Sequence, residues 1–162
     1  MFYLYFADKS YNIKMKNIFF LILGLIIILG SLFLFIQRPK NIDNSFKTLK
    51  INGQEIMVEI ARTPDALRKG LSGRESLTGG MGMLFVYDDS GVYGFWMKDM
   101  NFALDIVWID EDFRVIGIER EVQPETFPET FYPPKPVKYV LELNAGESKN
   151  MGIETGLDMI EF

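Results

Sequence analysis

Residues 49–61, LKINGQEIMVEIA, decide the fold class. Asn52-Gly53 is the dipeptide that accepts positive backbone angles at both central positions of a type I′ turn. Beyond it Ile56, Val58 and Ile60 alternate with polar or flexible residues, the period of a half-buried strand. A hairpin is therefore predicted here, and the segments around it read the same way. Thr63-Pro64 supplies an N-cap and a first-turn proline for a short helix, DALRKGL, ending at Ser72-Gly73. Met83–Tyr87, Tyr93–Lys98, Ala103–Ile109, Arg114–Glu121, Val137–Leu143 and Leu157–Phe162 read as strands, with a helical turn near Glu147–Met151. Asp110-Glu111-Asp112 makes a turn between two of them. The predicted fold is mainly β: a compact antiparallel sheet, closed as a barrel or folded as a sandwich, with one or two short helices.

Residues 123–136 break this pattern. They hold five of the seven prolines, and the tetrapeptide PETF occurs twice in tandem, at 124–127 and 128–131. Proline at that density excludes a helix or a central strand, so the segment reads as an extended loop. Its aromatic residues Phe127, Phe131 and Tyr132 make a lid or a docking surface for an envelope protein partner the functional reading, against a plain surface connector.

On the N-terminal side the sequence changes character. Residues 18–36, IFFLILGLIIILGSLFLFI, carry no charge, and only Gly24, Gly30 and Ser31 fall outside the apolar class. As a helix the run would extend about 28 Å, close to the hydrocarbon thickness of a bilayer, and it has no polar face to suit a buried core helix. It reads as a transmembrane anchor in the lipid bilayer, a cleaved signal being the rival. Residues 1–17 are then a short tail, in which Met15 is an alternative start, 37–47 a polar tether containing Pro39, and 48–162 the folded domain. Lys14 and Lys16 precede the run and Arg38 and Lys40 follow it, so flanking charge barely orients it. The short tail favours a single-pass protein of the cell membrane, N-terminus inside and C-terminal domain outside.

Composition narrows the chemistry. Cysteine and histidine are both absent, which excludes disulfides, thiolate sites and the commonest general base and metal ligand. Residues 41–162 contain 12 Lys/Arg against 21 Asp/Glu, a net of −9, which phosphate backbones repel; no nucleic-acid partner is expected. The acidic clusters 88–89 and 110–112 lack calcium-loop spacing, so neither a metal nor another cofactor is called for.

Two carboxylates stand out because they sit in apolar strands. Asp105 shares a strand face with Val107 and Ile109, and Glu142 lies opposite the Leu141/Leu143 face. A carboxylate so placed must be paired or hydrogen-bonded, with Arg68, Arg74 and Lys98 as candidate partners. One reading is a structural network. A second is a pocket for a small polar or glycan-like ligand, lined by Arg68, Arg74, Trp96, Lys98, Asp105 and Glu142, with Trp96 as a stacking platform. A third is a hydrolase or lyase using Asp105 and Glu142 as an acid–base pair.

Four ordered blocks, RKGLSGRESL (68–77), GMLFVYDD (82–89), FWMKDMNFALDIVWID (95–110) and YVLELNAG (139–146), resemble the family called domain of unknown function 192. The resemblance covers about residues 49–162. It implies a compact β-rich domain, often carried behind a signal peptide or single anchor, and no established activity. Its recurrent positions fall here on Arg68, Gly70, Leu71 and Arg74; on Gly82, Met83 and Phe85; on Trp96, Met97, Lys98 and Asp105; and on Leu141 and Glu142. Asp99-Met100 stands where many members have Asn-Thr.

Overall fold

Asn52 and Gly53 turn the chain with φ of 49° and 72°, the two positive angles that the dipeptide predicts. They join β1 (Phe46–Ile51) to β2 (Gln54–Ala61) in an antiparallel hairpin pairing Ile51 with Gln54 and Leu49 with Ile56. The computed structural model describes residues 18–30 and 46–161, the side chains only through Asp158. After β2 come α1 (Pro64–Lys69), β3 (Met81–Gly91), β4 (Leu104–Ile109), β5 (Val115–Val122), a 3-10 turn (Pro124–Thr126), β6 (Val137–Asn144), α2 (Glu147–Asn150) and β7 (Met159–Glu161). Thr63 caps α1 by accepting from Ala66 N at 3.2 Å, with Pro64 opening the helix. Asp110 Oδ1 accepts from Asp112 N and Arg114 N and closes the β4–β5 turn.

The strands form one seven-stranded sheet in the order β5-β4-β6-β3-β2-β1-β7. All neighbours are antiparallel except β2 and β3, which run parallel. A parallel pair needs a crossover connection, and here residues 62–80 with α1 supply it. Strand pairing thus gives an open sheet rather than the predicted barrel or sandwich. Among the described residues its two edges meet at one corner, where Arg114 bridges Asp158, Val115 N donates to Leu157 O at 2.8 Å and Gly156 N donates to Val115 O at 2.8 Å. Among the described residues no ladder runs along that seam.

Strand alternation feeds two cores. On one face Leu49, Ile56, Leu84, Val107, Leu141 and Leu143 pack together; on the other Phe85, Phe95, Leu104, Ile106, Trp108 and Val140 do so. The second face is covered by α1 and by residues 93–103. Residues 93–98, predicted as a strand, form no strand: only Phe95 pairs, exchanging backbone hydrogen bonds with Phe131 of the proline-rich loop. Their apolar content serves as a lid on the core, in which Phe95 stands edge-on to Phe85 and Trp108 at centroid distances of 4.8 and 5.4 Å.

Gly82 shows how tightly the centre is packed. A Cβ there would lie 2.9 Å from Glu142 O and 2.9 Å from Leu143 Cδ2. Gly82→Ala forces β3 away from β6 and is expected to cost about 2 kcal/mol, read as a lower urea midpoint at unchanged slope.

The chain separates into a unit from Met1 to Asn41 and a second from Ile42 to Phe162. In the first, residues 18–30 are helical and nearly all their side chains are exposed. Among the described residues no helix is long and apolar enough to cross a membrane. Residues 31–36 of the predicted span lie outside the described residues, as do the tail 1–17 and the tether up to residue 45.

Candidate functional site

The crossover that joins the parallel strands also builds the site. α1 ends at Gly70, whose φ of 50° suits glycine and whose Cβ, if present, would sit 3.1 Å from the Phe85 ring. The chain then passes Leu71, buried in the second core, and is stitched to the 98–101 turn. Ser72 Oγ donates to Lys98 O at 2.9 Å, Gly73 N to Asp99 O at 2.8 Å, and Asn101 Nδ2 to Arg74 O at 2.8 Å. Between this loop, β3 and residues 94–100 lies a pocket of ≈ 70 Å³ lined by Gly70, Phe85, Tyr87, Phe95, Trp96 and Glu142 among others.

Glu142 is the chemical centre of that pocket. Its side chain comes off β6 beneath the loop, 7% exposed, and its Oε2 is buried without a hydrogen-bond partner. Burial pushes its pKa from the ordinary 4.5 up to about 8, against the opposing pull of the Arg74 guanidinium. Tyr87, stacked on Tyr93 at 3.6 Å, has its hydroxyl pushed up by burial first, then by Tyr93 and Glu142. Trp96 stands 54% exposed at the pocket, edge-on to Phe127 at 6.1 Å.

Of the six residues predicted to share a site, Arg68, Trp96 and Glu142 line this pocket. Lys98 lies 6.0 Å over the Trp96 ring. Arg68 is turned outward to Asp65 at 3.4 Å and is largely exposed. Arg74 binds Glu59 instead, its Nη2 lying 2.8 and 2.9 Å from the two carboxylate oxygens. Glu59, absent from the predicted set, alternates with apolar Val58 and Ile60 and so reads as a solvent-facing residue. The crossover covers that face and leaves Glu59 only 7% exposed.

Asp105 lies elsewhere. Directly opposed residues of an antiparallel pair share a face. Asp105 opposes Leu143 and Glu142 opposes Ile106, and these partners belong to different cores. The two carboxylates are therefore on opposite faces of the sheet, and the acid–base pair required by the hydrolase reading is not assembled. Asp105 is instead fully engaged: Oδ1 accepts from Glu121 N at 2.8 Å, and Oδ2 accepts from Ser148 N at 2.9 Å and Ser148 Oγ at 2.6 Å. It fastens α2 and the end of β5 to β4.

A larger groove of ≈ 580 Å³ lies near the 110–114 turn, Pro134–Pro136 and Thr155. In it Ser90 Oγ donates to Glu111 Oε2 and Asp110 Oδ1 accepts from two backbone N–H groups, and among the described residues no buried side-chain polar atom of its lining lacks a partner. Volume favours this groove; unmet chemistry favours the Glu142 pocket. Among the described residues no cluster of three carboxylates is arranged to hold a metal ion.

Residues 47–162 match the family described as DUF192, Uncharacterized ACR. The chain belongs to the DUF192 family. Two solved structures are similar to it. One is a protein from Sinorhizobium meliloti 1021, provisionally named a transcription regulator, at 27% identity and a TM-score of 0.69 over 75% of this chain and 97% of the other. The second, from Novosphingobium aromaticivorans DSM 12444 and of unknown function, has 26% identity and the same TM-score over 75% of this chain and 89% of that one. No curated protein matches. Within the DUF192 pattern, Gly70, Leu71 and Arg74 shape the crossover, Gly82 admits β6 beside β3, and Glu142 sits at the base of the pocket.

Proposed function

We propose that this DUF192 protein is a membrane-anchored, extracytoplasmic binding domain that captures a small polar or glycan-like ligand in the Glu142 pocket. The observation that carries this reading is a buried carboxyl oxygen without a partner in an aromatic-lined pocket with an exposed tryptophan. Buried polar groups are nearly always satisfied, and an exception beside a cavity suits an incoming ligand. Support for the anchor is the uncharged run at 18–36, whose burial in hydrocarbon is strongly favourable once backbone groups bond within a helix. The net charge of −9 over residues 41–162 weighs against a nucleic-acid ligand. Beside the pocket Phe127 and Tyr132 give the proline-rich loop an apolar outer face that an envelope protein partner would cover.

Full-length protein in detergent micelles is to be titrated with envelope glycans, cell-wall fragments and small polar metabolites while its thermal transition is followed. A true ligand raises Tm with concentration, by mass action on the folded state, and Trp96→Ala lowers that response. A flat transition against every class overturns the reading.

A further inference from the structure

The pocket's size and its charge balance together say what part of a ligand enters it. A volume of ≈ 70 Å³ is well short of the about 300 Å³ at which whole-ligand pockets begin. It suits one end group of a ligand, the rest of the molecule lying against the rim at Trp96. The walls contribute the rings of Phe85, Tyr87, Phe95 and Trp96, and the base contributes one carboxyl. Arg74 pairs with Glu59 and Arg68 with Asp65, so neither closes an ion pair with Glu142, whose Oε2 has no hydrogen-bond partner. Aromatic faces beside a carboxylate attract a cation, and Lys98 already lies 6.0 Å over the Trp96 ring.

We propose that the pocket captures the terminal primary ammonium group of an amine-bearing ligand, with Glu142 as its counter-ion and Trp96 against its stem. This rests on the Glu142 pocket being the binding site. The exchange balances in charge: the neutral Glu142 carboxyl gives up its proton to solvent, the ammonium R–NH3+ enters, and the carboxylate–ammonium pair leaves the pocket neutral again. An anionic or uncharged end group offers no such exchange. Capture should therefore strengthen as pH rises toward about 8, where burial has set the Glu142 titration. The titratable and charged groups around Glu142 are Tyr87 on β3, Arg68 and Lys69 on α1, and Arg74 with its partner Glu59 on β2, with Trp96 on the covering segment. Of these, Tyr87 stays protonated throughout that range.

The test uses full-length protein in micelles with n-propylammonium chloride, n-propanol and sodium propionate as probes of equal size. Each is titrated to about 50 mM at matched ionic strength, with thermal shift as readout and proton release measured by calorimetry in two buffers. Propylammonium alone should raise Tm at pH 7, release close to one proton per site, and lose about tenfold in apparent affinity in Glu142→Gln. Trp96→Ala, at an exposed position that leaves the core intact, should weaken it by a smaller factor. If propanol or propionate stabilises the protein through Glu142 and propylammonium does not, the pocket binds but the ammonium assignment falls. If propylammonium acts equally on Glu142→Gln, the assignment also falls. If none of the three acts, the ammonium assignment falls, and the binding reading then stands or falls on the glycan and metabolite titration.

Discussion

Asp105→Ala should lose about 3–5 kcal/mol of folding stability, a fall in Tm of roughly 12 °C or more for a domain of this size. The carboxylate is fully buried and is the acceptor for three donors, Glu121 N, Ser148 N and Ser148 Oγ. Alanine leaves those donors buried and unpaired, and each orphaned group costs about 1–3 kcal/mol, partly recovered by relaxation. Asp105→Asn should be milder at Oδ1 and still costly at Ser148, because the amide nitrogen is itself a donor. Denaturant unfolding of the three proteins ranks them. A variant as stable as the parent would show that α2 is held by something other than Asp105.

Glu142→Gln should act in the opposite direction, and only at higher pH. Glu142 has a folded-state pKa of about 8 against an ordinary 4.5. Between those values the folded protein keeps a proton that the unfolded chain has lost, so stability falls as pH climbs through this window and levels off above about 8. Each pKa unit is worth about 1.4 kcal/mol, so the full penalty is roughly 5 kcal/mol. Removing the titrating group removes the penalty. The glutamine variant should match the parent within about 1 kcal/mol at pH 4 and exceed it by several kcal/mol at pH 9. Urea midpoints measured across that range test it; two parallel curves would mean that Glu142 ionises freely in the folded state. A gain in stability on deleting a buried carboxyl marks a group kept for function rather than for folding.

These opposite expectations explain how much of the site was legible. That Asp105 and Glu142 are buried follows from alternation, since each sits between apolar residues on its own strand. Whether they share a face does not, because alternation separates odd from even positions within a strand and is silent on the register between strands. Only the pairing of Asp105 with Leu143 and of Ile106 with Glu142 settles it. The hairpin at Asn52-Gly53 was legible because its turn chemistry is local, and so was α1, whose cap and proline are adjacent in sequence. The parallel β2–β3 pair was not, being set by where a crossover lands. The Glu59–Arg74 ion pair is hidden for the same reason: it closes over 15 residues of that crossover. Residues 93–98 have the composition of a strand, and tertiary packing assigns them to covering the core instead.

The tandem PETF shows what the loop between β5 and β6 permits. The first copy curls into the 3-10 turn and leaves Phe127 partly in solvent, while the second leads out of that turn and packs Phe131 against the second core, paired with Phe95. Identical tetrapeptides thus take two shapes, so neither shape belongs to the peptide. A single residue inserted into β6 would trade the two cores, sending Glu142 toward Leu84 and Leu141 into the pocket. Four residues gained or lost among 123–136 leave every strand in register and alter only how far the loop reaches past Trp96. Evolution by small insertions is therefore nearly closed to the sheet and open at this loop, where the rim of the pocket can be reshaped while its carboxyl stays in place.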